Sequence, residues 1–127
     1  MAIWQRLLLL ALGGGLGALA RYGLSGLVQR CSGSGLPYGT LVVNVLGCFL
    51  FGLVWALAAE RMMIGPEMRT VILVGFLGSF TTLSTCIFES HWLLADARWL
   101  IALGNLAVMN VASLGVFALG LAVGRVV

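Results

Sequence analysis

The residues best equipped for chemistry sit in one run. From Ser79 to Thr85, five of seven residues carry hydroxyls: Ser79, Thr81, Thr82, Ser84 and Thr85. Gly75-Phe76-Leu77-Gly78 stands just before the run, and Glu89 follows four residues after it. Hydroxyl side chains compete for backbone hydrogen bonds and glycine loosens a helix, so this pattern predicts a helix break between Gly78 and Thr82. At such a break freed carbonyls can hold a cation, while hydroxyl hydrogens can hold an anion in place of its water. The alternative from composition alone is an unbroken helix whose hydroxyls bond back to their own turn.

Three further polar residues interrupt apolar surroundings. Asn44 shares a helical face with Thr40, Gly47, Cys48, Phe51 and Trp55 by three- and four-residue spacing. Its amide needs partners, either across to another helix, worth about 0.6 to 2 kcal/mol, or in a polar pathway. Arg21 reads as the wall of a vestibule or as an anchor that snorkels to the interface. Glu89 has the same two readings, and the hydroxyl run before it favours the pathway. Cys31, Cys48 and Cys86 lack paired or metal-like spacing and read as small apolar fillers. His91 has no second ligand nearby and reads as a helix-end or interfacial residue. No nucleophile, base and orienting group can be assembled, so no enzymatic reaction is expected.

The elements that position these residues follow from composition. Of 127 residues 61% are hydrophobic and 9% charged, where a soluble domain carries roughly a quarter charged. The net charge of +3 comes from seven scattered arginines without a basic run, which argues against a nucleic-acid partner. Stretches 7–28, 36–59, 70–88 and 99–124 contain a single charge, Arg21. About 20 apolar residues cross a bilayer as helix. The chain is therefore predicted to be an all-α membrane protein, one domain over 1–127, with spans near 4–29, 36–60, 68–94 and 98–125. The first stretch lacks a convincing small-residue cleavage site, so it reads as a span and not as a signal peptide.

Small residues at four-residue spacing, such as Gly13 with Gly17 and Gly120 with Gly124, predict close helix crossings. Arginines divide weakly between the two sides: Arg6, Arg61, Arg69 and Arg125 against Arg30 and Arg98, or three if Arg21 is added. So shallow a positive-inside bias allows insertion both ways and hence an antiparallel dimer; one fixed orientation is the alternative.

The motifs Gly13-Gly14-Gly15-Leu16-Gly17-Ala18-Leu19-Ala20-Arg21-Tyr22, Gly39-Thr40-Leu41-Val42-Val43-Asn44-Val45-Leu46-Gly47, and Gly75-Phe76-Leu77-Gly78 leading to Thr81-Thr82-Leu83-Ser84-Thr85 and Glu89 closely resemble the Fluc (CrcB-type) family of fluoride channels. The resemblance implies a passive channel exporting fluoride across the bacterial inner (plasma) membrane. It implies an antiparallel, dual-topology homodimer with two pores and a structural sodium ion on the twofold axis. Carried over by position, the carbonyls of Gly78 and Thr81 would ligate sodium. Asn44 would line the pore, Ser84 and Thr85 the polar track, Glu89 its far end and Arg21 a vestibule.

Two departures stand out. The family pattern Thr-Thr-Phe-Ser-Thr-Phe offers two phenylalanines whose ring edges face the ion, and this chain has Leu83 and Cys86 there. Phe80 and Phe88 lie nearby. Relatives often carry polar residues at four-residue spacing in the fourth span; the counterparts here are Asn105, Met109 and Ser113, with Asn110 as an alternative one residue on. A proton-coupled small-molecule exporter would also be short, glycine-rich and dual-topology, but would need a central carboxylate. The first, second and fourth spans offer none. A non-transporting assembly subunit would leave Asn44 and the hydroxyls as packing contacts.

Overall fold

The computed structural model describes all residues, 1–127, and is entirely helical. Four helical segments are long and apolar enough to cross a membrane: Ile3–Ser32, Tyr38–Glu60, Pro66–Ala95 and Trp99–Val126. They comprise α1 (Ile3–Ser32), α2 (Tyr38–Trp55), α3 (Pro66–Thr70), α4 (Gly78–Phe80), α5 (Leu83–Ala95) and α6 (Trp99–Val126). Wider π-helical turns continue α2 through Ala56–Glu60 and join α3 to α4 through Val71–Leu77. At 1.5 Å rise per residue, the 28 to 30 residues of α6 and α1 reach roughly 42 to 45 Å. That exceeds a hydrocarbon core of about 30 Å and carries the helix ends into the headgroup layers.

Local chemistry explains the ends. α1 stops at Gly33, whose φ of 59° is the left-handed conformation that closes a helix. Just inside that end, Gln29 ties down the connection to α2. Its Nε2 donates to the carbonyls of Ser34 and Leu36, both at 2.9 Å, and its Oε1 accepts from the Gly39 amide at 3.2 Å. Pro66 opens α3 from its first turn, where its missing amide hydrogen costs nothing. Between α4 and α5 lie two extended residues, Thr81 (φ −82°, ψ 156°) and Thr82 (φ −152°, ψ 117°).

Glycines set how closely the helices cross. α2 and α6 meet back to back: a side chain at Gly52 would strike the Phe117 carbonyl, and one at Gly120 would strike the Phe49 carbonyl. α1 meets the Val71–Leu77 stretch in the same way, with Gly17 against the Phe76 carbonyl. Where no water drives helices together, such backbone approach supplies the packing. Val43, Leu73, Leu77 and Phe80 form the small core, bordered by Leu24, Leu50, Phe51, Val54, Ile72 and Phe76.

Only 22 of 127 residues are buried within one chain. Large apolar side chains cover the outside, as a surface meant for lipid or for another subunit requires. On the side of the chain termini, charges fasten the helix ends: Arg6 to Glu67 at 2.6 Å, and Arg125 to both Glu60 oxygens at 2.6 and 2.8 Å. Arg69 lies 5.5 Å over the Trp55 ring.

Candidate functional site

The site is built around the link between α4 and α5, and Asn44 of α2 is its clasp. The Thr82 amide donates to Asn44 Oδ1 at 2.7 Å, and Asn44 Nδ2 returns a bond to the Thr82 carbonyl at 2.8 Å. A backbone amide can only donate and a carbonyl only accept, so this closed pair fixes which way the Asn44 amide faces. In a continuous helix the Thr82 amide would serve the Gly78 carbonyl instead. One turn later the same diversion recurs: the Thr85 amide, which would serve the Thr81 carbonyl, donates to Thr82 Oγ1 at 3.2 Å and caps α5. Gly78 and Thr81 thus lose the donors a helix supplies to their carbonyls. Oxygen groups of this kind suit a hard cation.

Hydroxyls extend from the link along α5. Thr82 Oγ1 lies 3.2 Å from Ser84 Oγ and 3.0 Å from Thr85 Oγ1, while Thr81 Oγ1 donates to the Leu77 carbonyl at 3.0 Å. A groove of about 240 Å³ runs past Thr82 and Thr85, walled by Arg21, Tyr22, Ser25 and Thr40. Arg21 is half-buried there and pairs with no carboxylate. Ser25, Thr40 and Thr85 also line a second groove of about 500 Å³, which contains Gln29, Glu89, Asp96 and Arg98. Glu89 Oε1 accepts from Thr40 Oγ1 at 2.5 Å, and its other oxygen, Oε2, is buried without a partner. One chain therefore brings Arg21, Thr85 and Glu89 to one polar seam, with Asn44 buried behind it and holding Thr82. Ser84 stands at its exposed edge.

Residues 8–121 match the family model described as CrcB-like protein, Camphor Resistance. The chain belongs to the CrcB family. A relative in Solidesulfovibrio magneticus is 52% identical over 123 residues, covering 97% of this chain and 98% of that protein. One in Nitrosococcus oceani is 48% identical over 125 residues, 98% and 100% of the two chains. A third, in Nitratidesulfovibrio vulgaris, is 46% identical over 123 residues, 97% and 99%. All three are named fluoride-specific ion channel FluC. Four apolar spans and this membership make the chain a multi-pass membrane protein.

Against the CrcB pattern, the two substituted aromatic positions occupy different surroundings. Leu83 is 67% exposed on the outer face, whereas Cys86 is fully buried beside Asn105, with Nδ2 of Asn105 3.9 Å from its sulfur. Asn105 also donates to Ser90 Oγ at 3.1 Å, so it is held inside the chain. Phe80 is locked in the core, stacked on Phe76 at 6.0 Å, and Phe88 faces outward, edge-on to Trp92 at 6.0 Å. In the fourth span Met109 is buried with its sulfur 3.4 Å from Asn44 Nδ2. Asn110 is exposed and donates to the Leu106 carbonyl at 2.7 Å. Ser113 is half-buried one turn beyond Met109.

His91 is exposed at the α5 surface beside Trp92, with ring centroids 6.1 Å apart. Sequence reasoning missed Gln29 and Ser90, and it placed Met109 without its contact to Asn44. Gln29 had a readable signal, an amide placed one turn before a Ser/Gly-rich connection whose backbone groups need partners. Ser90 had none, and neither did the partner of Met109, since the residues they meet lie 15 and 65 positions away.

Proposed function

We propose that this chain is a passive, fluoride-selective channel of the plasma membrane that lets fluoride leave the cytoplasm and so relieves its toxicity. The observation that carries the reading is the paired diversion of the Thr82 and Thr85 amides. It places free carbonyls and a line of hydroxyl hydrogens within one turn of each other in an apolar bundle. The printed names of relatives 46 to 52% identical support the ion.

The third helix is broken near its middle in this reading, and the break has two jobs. Its carbonyl side, Gly78 and Thr81, would hold a sodium ion together with the same groups of a second chain. Bound there, sodium supplies positive charge that fixes the two links and favours a nearby anion. The hydroxyl side, Thr82, Ser84 and Thr85, replaces part of fluoride's water, each charge-assisted bond being worth roughly 1.5 to 3 kcal/mol. Asn44 faces the anion pathway, with Asn105 and Ser113 on the fourth-span side, Arg21 in the vestibule that gathers anions, and Glu89 at the far end. The apolar outer surface supports pairing of two chains, antiparallel and in dual topology. Shallow arginine asymmetry favours that arrangement, and lipid surrounds the dimer.

Purified protein in fluoride-loaded liposomes tests the reading. With the membrane potential clamped, a channel empties them without any proton gradient, as read by a fluoride electrode. Efflux that requires a proton gradient would point to coupled export instead, and none at all to an assembly role. For the dimer, labelling of a single cysteine placed near one terminus should find it on both faces of the membrane; one exclusive face would exclude dual topology. Replacing external and internal sodium by a large organic cation should slow efflux, and an unchanged rate would remove sodium from the account.

A further inference from the structure

Asn44 has one hydrogen left after it clasps the link. The hydrogen on the oxygen side of its amide goes to Thr82, and the amide oxygen takes the Thr82 amide. The remaining hydrogen points away from that ring, and what it meets is the sulfur of Met109 at 3.4 Å. Met109 is 4% exposed and lies on α6. A thioether is a weak acceptor on a flexible, three-bond stem. It satisfies the hydrogen when nothing better is present, and leaves it readily.

We propose that Met109 is a rate- and affinity-setting residue of this channel: a releasable sulfur cap on the one Asn44 hydrogen available to the permeating anion. The inference rests on the channel reading above and deepens it. When fluoride arrives, the exchange is one for one: the Asn44 N–H leaves sulfur and takes the anion, while the Thr82 clasp stays closed and the link keeps its shape. A stronger oxygen acceptor at this position would hold the hydrogen back, and an apolar side chain would leave it permanently free. In this role Met109 acts through Asn44.

Fluoride efflux from liposomes, measured against fluoride concentration, tests the cap in the parent and in Met109→Leu, which keeps volume and removes the acceptor. The half-saturating fluoride concentration should fall about three- to tenfold in the variant, the worth of one weak neutral hydrogen bond. An unchanged value in a folded, dimeric variant overturns the proposal, and a parent that passes no fluoride overturns the channel reading itself. A second measurement covers a variant that fails to assemble. In protein carrying Met62→Leu, Met63→Leu and Met68→Leu, with carbon-13 methionine methyls, Met109 and Met1 are the labelled residues that remain. The Met109 resonance should move on fluoride addition over the range in which flux saturates, and stay still with chloride. A resonance indifferent to fluoride overturns the cap.

Discussion

The third span carries two halves of opposite character on one axis. Its first half, the Val71–Leu77 stretch, buries Val71, Leu73, Gly75 and Leu77, and Gly17 of α1 sits against its backbone. Its second half, α5, presents Thr85 and Glu89 to a groove and is tied to neighbours by side-chain bonds, Thr40 to Glu89 and Asn105 to Ser90. The first half is placed by shape, the second by hydrogen bonds. Shape tolerates no added atom, while hydrogen bonds can be exchanged for an ion, so a membrane protein can anchor one half and conduct beside the other.

The sharpest way to break this division is Asn44→Asp. The substitution keeps an acceptor for the Thr82 amide, removes both donors and adds like charge. Fluoride efflux should fall by about two orders of magnitude or more, on the scale of a lost charge-assisted bond plus repulsion. Unchanged efflux from intact dimers would assign Asn44 to packing. Its counterpart in the apolar half is Gly17→Val. Steric conflict with the Phe76 carbonyl should cost about 1 to 3 kcal/mol of stability, read as a lower melting temperature in detergent. Efflux per folded channel should change by less than about twofold, because the site keeps every hydrogen bond. A large loss of conduction with stability intact would erase the distinction between the halves.

The aromatic positions sharpen it further, since they differ in burial. Cys86→Phe forces a ring into a fully buried place beside Asn105 and should destabilise by about 1 to 3 kcal/mol. Leu83→Phe adds its ring on the exposed face, where it should be tolerated and should preserve or raise fluoride efflux with chloride still excluded. A parent inactive until both rings are present would mean that the hydroxyl track is overvalued here. The smallest effect belongs to Glu67→Gln, away from both halves. Loss of its pair with Arg6 should cost about 0 to 1 kcal/mol, with efflux unaltered.

Much of this was legible in the chain. Long charge-poor stretches mark four spans because backbone groups in lipid leave little besides helix, and the glycine pairs sit at the crossings their spacing suggests. What escaped was the choice between Asn44 as ligand and Asn44 as packing contact. Its partners come from Thr82 and Met109, 38 and 65 residues on, and no local pattern reveals which face of α6 turns inward. The surroundings of Leu83 and Cys86 were hidden likewise. Three residues apart on one helix, they share a face by spacing alone, yet one lies open and the other is enclosed by Asn105.

The clasp between Asn44 and Thr82 also bears on how the chain is made. The second span precedes the third in the chain, and the partner of Asn44 lies 38 residues on. An amide without a partner in hydrocarbon costs a few kcal/mol, and Thr82 carries the complementary deficit when its turn comes. Neither span is at ease in lipid alone. Each supplies what the other lacks, so the two spans are more stable in the bilayer as a pair than apart.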